Sequence, residues 1–82
     1  MKLVLLSPAK TLFEGEIDSV TVPGTKGLFT VLPNHAPLIT TIDKGTITYR
    51  IGETEHNLNV ADGFAEVKNN IVSICIEKII NE

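Results

Sequence analysis

Apolar and polar residues alternate in short stretches along this chain. Ile47, Tyr49 and Ile51 interleave with Thr46, Thr48 and Arg50, and His56, Leu58 and Val60 interleave with Glu55, Asn57 and Asn59. A period of two places the two sets on opposite faces of a β-strand. Val20 and Val22 alternate with Ser19 and Thr21 in the same way. Turn residues separate the stretches, among them Ser7-Pro8, Pro23-Gly24, Lys26-Gly27, Pro33-Asn34, Lys44-Gly45, Gly52, Asp62-Gly63 and Asn69-Asn70. Strands are expected near 2–7, 11–15, 16–22, 28–31, 38–43, 46–51, 54–60, 63–68 and 71–77. Nine to ten short strands of this kind close into two packed, mostly antiparallel sheets. The expected class is therefore an all-β sandwich, with no stretch of helical period.

The turns carry their own expectations. Gly52-Glu53 suits a tight hairpin, because glycine tolerates positive φ. Asn69-Asn70 closes a second hairpin, since asparagine accepts left-handed geometry. Pro23 is expected to end the third strand, with Gly24 at positive φ and Gly27 letting the chain re-enter a strand. Lys78 to Glu82 are expected to fray. Composition strengthens the β reading: isoleucine, valine and threonine supply 10, 7 and 9 residues, and β-branched side chains pack well on pleated sheets.

Eighty-two residues are expected to form one domain, marginal in stability unless something staples or covers it. Cys75 is the only cysteine, so no disulfide within the chain can do so. Between Ile74 and Ile76 it reads as a small buried hydrophobe in a reducing compartment. His35 and His56 lack the spacing of metal ligands. A net charge of −3 with scattered basic residues argues against a nucleic-acid surface. No apolar run approaches the roughly 18 residues that span a bilayer, so no direct membrane insertion is expected. The Leu3–Leu6 run stops at Ser7-Pro8, short of the roughly 7–15 residues of a signal-peptide core.

Three motifs invite chemistry. Gly24-Thr25-Lys26-Gly27 looks like a phosphate loop, yet no Gly-Lys-Ser/Thr follows and no helix N-terminus is at hand; it reads as a turn. Glu14, Glu16 and Asp18 are spaced to share one strand face, and read as a solvated face rather than an acid–base pair. Leu32-Pro33-Asn34-His35-Ala36-Pro37-Leu38 is different. Its two prolines hold φ near about −65° and push the preceding residues toward extended conformations. Asn34 suits a left-handed position. The loop is expected to be rigid and to display His35 in a fixed direction, either for a partner or simply as a stiff connection.

Taken together, Val22-Pro23-Gly24-Thr25-Lys26-Gly27, the strand to Leu32 and Pro33-Asn34-His35-Ala36-Pro37-Leu38-Ile39-Thr40 resemble the signature of the ε subunit of F-type ATP synthases. Phe13-Glu14-Gly15, Lys44-Gly45, Asp62-Gly63-Phe64-Ala65-Glu66-Val67 and Asn70-Ile71-Val72-Ser73-Ile74 agree with it, so the likeness spans nearly the whole chain. It implies a flattened two-sheet sandwich with no chemistry, cofactor or nucleotide of its own. Implied partners are the γ subunit and the c-ring, in a central stalk peripheral to the cytoplasmic face of a bacterial inner membrane. Ser7, His35, Ala36, Pro37 and Thr40 match positions on the family's γ-facing side, and Leu28, Phe29 and Thr30 match the region that meets the c-ring. The family often has an acidic residue where Leu28 stands and glycine where Thr30 stands, so a more apolar c-ring contact is expected; Phe29, Leu28 and His35 are the expected anchors across the two partner interfaces. Members often continue as two C-terminal helices. The ending Lys78-Ile79-Ile80-Asn81-Glu82 carries no scar, and the expectation is a naturally short form without self-inhibition.

Two rivals remain. A small β-barrel binding a soluble ligand or sugar requires a concave pocket with convergent polar groups. A small enzyme using Glu14, Glu16 or His35 requires an assembled catalytic constellation.

Overall fold

The computed structural model describes residues 1–81. Eight strands follow one another: β1 (Lys2–Leu6), β2 (Thr11–Glu16), β3 (Ser19–Gly24), β4 (Gly27–Val31), β5 (Leu38–Ile42), β6 (Gly45–Ile51), β7 (Thr54–Lys68) and β8 (Ile71–Asn81). Hydrogen bonding runs β2-β1-β8-β7-β5-β3-β4, and β6 joins β3 to β7. All pairs are antiparallel except β1 with β8. The path ends at β2 and β4, so the sheet is folded over rather than closed into a barrel.

The long strands make the fold. The first half of β7 pairs β6 (Gly45↔Val60 to Ile51↔Thr54), and its second half pairs β5 (Leu38↔Val67 to Ile42↔Gly63). On its other edge β7 pairs β8 from Asn59↔Asn81 to Lys68↔Ile71. One layer thus holds β4, β3, β6, the first half of β7 and the end of β8. The other holds β5, the second half of β7, the start of β8, β1 and β2. Both layers send side chains into one core that includes Leu3, Leu5, Val20, Val22, Ile47, Leu58, Val67 and Ile74. Burying each such aliphatic side chain contributes roughly 1.5–3 kcal/mol, which makes this core the main favourable term.

Between the layers the strands turn over. Inward residues are Leu58 and Val60 on one side of the bend in β7, but Ala65 and Val67 on the other. Ile42 gives way to Ile47 across the β5–β6 junction, and Val72, Ile74 and Ile76 give way to Ile79 in β8. Every step is odd, so β7, β8 and the β5–β6 junction exchange faces at the same level; β5 and β6 keep one register on β7, and β8 shifts by one residue between Asn59 and Val60. Asp62, at φ 60°, supplies the left-handed residue that rotates β7 there, a conformation aspartate tolerates better than most residues. Gly63 follows, and a Cβ on it would collide with the backbone carbonyl of Cys75. Asp62-Gly63 therefore bends a continuous strand. The two strands expected at 54–60 and 63–68 are one, and the count is eight.

Other expectations shift for local reasons. The strand expected to begin at 16 begins at Ser19, because Ile17-Asp18 is the corner between layers. Ile17 is buried and its N–H donates to the Met1 carbonyl (2.8 Å), while the Asp18 N–H donates to Arg50 (2.8 Å). Pro23 does not end β3: it sits opposite Leu28, and its carbonyl accepts the Asp43 N–H at 2.9 Å. Positive φ falls on Gly27 (129°) rather than on Gly24. Residues 78–81 do not fray but pair with β7; Glu82 lies outside the described residues. Cys75 is half-buried, since the alternation that buries Ile74 and Ile76 turns its side chain outward. Asn34, Asn69, Asn70 and Gly52 take the positive φ expected of them.

Gly63→Ala is expected to destabilise the chain by about 2–4 kcal/mol through that backbone collision, measured by urea unfolding. Asp62→Gly, which relieves a left-handed side chain at some entropic cost, should stay within about 1 kcal/mol of the parent.

Candidate interaction surface

The proline loop is built by a turn over Leu32-Pro33-Asn34-His35, closed by the His35 N–H donating to the Leu32 carbonyl (3.2 Å). Proline at the second position and a left-handed Asn34 at the third (φ 67°) suit a type II turn. A second tether is long-range: the Asn34 N–H donates to the Asn70 Oδ1 at 2.8 Å, across to the β7–β8 turn. His35 Nδ1 lies 2.7 Å from the Ala36 carbonyl oxygen. The loop is held, as its sequence suggests. His35 itself is half-buried, whereas Ala36 and Pro37 are exposed.

The loop runs into β5. Strand β3 meets β5 only at Gly24↔Ile42, with Thr25 N–H donating to Thr41 just below (3.1 Å). No strand pairing covers the outer edge of Leu38–Thr40 among the described residues. Leu38, Thr40 and Ile42 turn inward, so Ile39 turns out and is 73% exposed. Thr40, whose hydroxyl donates to the Thr41 carbonyl (3.1 Å), is half-buried on the inward side. Sequence reasoning overlooked Ile39, although an apolar residue out of phase in Leu38-Ile39-Thr40-Thr41-Ile42 was a readable signal.

Ser7 lies elsewhere. It closes the β1–β2 turn, its N–H and hydroxyl both donating to the Lys10 carbonyl (2.9 and 3.1 Å). Strand β1 runs parallel to β8 from Lys2↔Ile71 to Leu6↔Cys75. Ser7 and the Asn70-tethered His35 loop therefore mark opposite ends of the second layer. Between them its outer face carries Leu6, Cys75, Phe64 and Ile39, with Phe64 47% exposed, together with the charged Lys2, Glu66 and Lys68. The outer face of the other layer is polar and uncharged along one row: Thr30 and Thr21 hydroxyls meet at 2.9 Å, and the Thr48 hydroxyl donates to Asn57 at 2.7 Å.

Leu28, Phe29 and Thr30 lie on the edge strand β4, but they do not share a direction. Leu28 is 71% exposed and Thr30 is exposed, whereas Phe29 turns inward and packs against the core. An aromatic anchor is therefore available at neither end of that triplet. The acidic residues are accounted for structurally. Glu14 pairs with Lys2 (3.2 Å) and Glu16 with the N-terminal amine (3.2 Å). Asp18 lies beyond β2 and accepts the Gly52 N–H at 2.7 Å, bracing the β6–β7 turn.

Two shallow concavities flank these elements. A groove of about 430 Å³ runs along Pro37, Leu38, Ile39, Glu66, Val67 and Lys68. A smaller one, about 220 Å³, opens at the mouth of the sandwich beside Leu5, Leu12, Tyr49, His56, Asn57 and Leu58. There Phe13 from one layer meets Tyr49 from the other (centroids 4.8 Å), and His56 stacks on Tyr49 (4.9 Å). Desolvation raises the Tyr49 phenol above its ordinary value. Among the described residues no cluster of three or more His, Cys, Asp or Glu is arranged to hold a metal ion, and no helix is long and apolar enough to cross a membrane.

Tyr49 is the only tyrosine, so absorbance near 295 nm reports it alone. Its titration midpoint is expected above 10 in the folded chain. A raised phenol pKa leaves its contribution to stability whole below the unfolded value of about 10, and removes it as pH rises through the folded one. Tyr49→Phe should abolish that part of the alkaline loss.

Comparison with known proteins places this geometry in a family. Residues 1–82 match the family described as ATP synthase, Delta/Epsilon chain, β-sandwich domain. An ATP synthase epsilon chain of Leptospira borgpetersenii is 49% identical over 74 residues, covering 90% of this chain and 58% of the relative. One of Caulobacter vibrioides is 44% identical over 63 residues, covering 77% of this chain and 73% of the relative. This chain thus spans less than two thirds of the Leptospira relative's length. In fold it is similar to a chain from the Euglena gracilis mitochondrial ATP synthase (TM-score 0.89, 20% identity, 96% of this chain and 51% of that one). It is likewise similar to one from the central stalk/c-ring structure of the Tetrahymena thermophila enzyme (TM-score 0.82, 15% identity, 99% and 66%). The chain belongs to the β-sandwich family of ATP synthase delta/epsilon chains.

Proposed function

We propose that this chain is the sandwich part of an ATP synthase ε subunit, a single non-catalytic domain of the central stalk that works by binding. The observation that carries the reading is a proline loop closed by its own turn and tethered to Asn70, beside an open strand edge, in a chain of this family. The γ subunit is the partner of the second layer's outer face. Ser7 and His35 bound that contact at its two ends, Ala36, Pro37 and Ile39 supply exposed surface near the His35 end, and Thr40 contributes its backbone edge. Four strand intervals between Lys2 and Leu6 give the face a length of roughly 13 Å at about 3.3 Å per residue. A stable contact must bury about 1,000 Å² or more, so the flanking loops belong to it as well.

The β3–β4 hairpin is the proposed c-ring contact, through Leu28 and Thr30 rather than Phe29. Such a chain would bind γ and c-ring together and pass on rotation driven by ion flow, without nucleotide or chemistry of its own. It would sit peripherally at the cytoplasmic face of a bacterial inner membrane. Partner binding also offsets the marginal stability of so small a core, because a ligand of the folded state stabilises it by linkage.

His35→Glu is expected to weaken binding to purified γ subunit at least tenfold in a quantitative pull-down, since it places an unpaired charge in a buried contact. Ile39→Asp should do the same. Unchanged affinity in both variants would remove γ from this face.

A further inference from the structure

Asn70 is placed where three segments converge. It occupies the β7–β8 turn at φ 62°. Its carbonyl accepts the Lys2 N–H that opens β1 (3.1 Å), and its side-chain oxygen accepts the Asn34 N–H (2.8 Å). The Asn34 amide is a donor only, so it selects the Oδ1 of Asn70 and fixes which way that carboxamide points. Asn34 is left-handed and immediately precedes His35, so the bond holds the residue that aims the histidine. The internal bonds of the loop, His35 N–H to Leu32 and His35 Nδ1 to Ala36, fix its shape but not its position on the sheet. Among the hydrogen bonds described, the Asn34–Asn70 link is the one that ties residues 32–37 to the β7–β8 turn.

We infer that Asn70 is a positioning residue: its side chain latches the proline loop onto the β7–β8 turn and so presents His35 and Ala36 to the γ subunit in a prepared geometry. The functional half rests on the γ-binding reading above. A latched loop has less freedom to lose on association, and preorganisation of this kind raises affinity without adding a contact. Asn70 need not touch the partner. Its effect passes through Asn34, and the chemistry it needs is one acceptor oxygen at a position tolerant of positive φ.

Two substitutions separate these requirements. Asn70→Gly keeps the left-handed backbone and deletes the acceptor, whereas Asn70→Asp keeps an acceptor oxygen. Amide exchange in the free chain, followed by NMR, reads the latch without any partner. The Asn34 amide should exchange about threefold to tenfold faster in Asn70→Gly, the factor a single hydrogen bond commands, and return toward the parent rate in Asn70→Asp. Asn69→Gly, in the same turn, should leave it unchanged. Affinity for purified γ subunit should fall by a similar factor in Asn70→Gly and recover in Asn70→Asp. The loss should shrink when His35→Glu is already present, because coupled residues are not additive.

An Asn34 amide that exchanges equally fast in parent and Asn70→Gly would overturn the latch, whatever γ does. A loosened loop with unchanged γ affinity, while His35→Glu still weakens binding, would overturn the positioning role and leave the γ reading intact. If His35→Glu and Ile39→Asp also leave γ affinity unchanged, the γ reading fails and takes the positioning role with it.

Discussion

The architecture depends on two long strands, β7 and β8, and the β5–β6 junction beside them turning over at one level. At Asp43-Lys44, Ala61-Asp62 and Glu77-Lys78 the chain leaves one layer and enters the other, and the inward set of side chains changes phase in each strand. Had only one strand done so, register with its neighbours would slip, and a one-residue slip sends a whole apolar set into solvent. The concerted change lets a hydrogen-bonded sheet fold onto itself without a closed barrel. Gly63 is central to this, because only a residue without Cβ passes the Cys75 carbonyl there.

Folding the sheet this way decides which surfaces are left. Two strands, β2 and β4, become free edges, and β5 is open along Leu38–Thr40. Acidic residues with nearby cations decorate β2, a common protection of a sheet edge. The β5 segment carries none, and its outward residue is Ile39. One layer faces outward with a row of hydroxyls and carboxamides bonded to one another, flanked by exposed Leu28 and Ile80; the other faces outward with Leu6, Phe64, Cys75 and Ile39 alongside Lys2, Glu66 and Lys68. A partner that covers the Leu6–Cys75–Phe64 row gains from desolvating it, whereas the hydroxyl–carboxamide row already satisfies its own hydrogen bonds. That contrast is the physical reason for proposing the γ contact on the second face.

Much of this was legible in the residues. Alternation and turn residues located β1, β2, β4, β5 and β6 to within one residue at each end, and asparagine or glycine marked the left-handed positions at 34, 52, 69 and 70. What misled was reading Asp62-Gly63 and Pro23-Gly24 as strand ends. Both dipeptides also serve within strands, one as a bend and the other as a residue whose missing N–H is not called upon. The fraying expected of residues 78–81 overlooked partners in β7 at Asn59, Val60 and Ala61, which local pattern does not reveal. For the interaction surface, the rigidity of the His35 loop was readable from its prolines. Its tether to Asn70 was not, because a hydrogen bond spanning 36 positions leaves no trace in spacing. The inward turn of Phe29 likewise follows only from the register of β4 on β3.

The central claim is that the chain works as a binding subunit through the outer face of its second layer and the loop at its end. Amide hydrogen exchange of the chain, alone and saturated with purified γ subunit, tests this most directly. The account predicts new protection along residues 32–40 and in the strands beneath Phe64 and Cys75, with Thr21, Thr48 and Asn57 unchanged. Protection confined to the threonine–asparagine row, or no complex with γ at all, would contradict it.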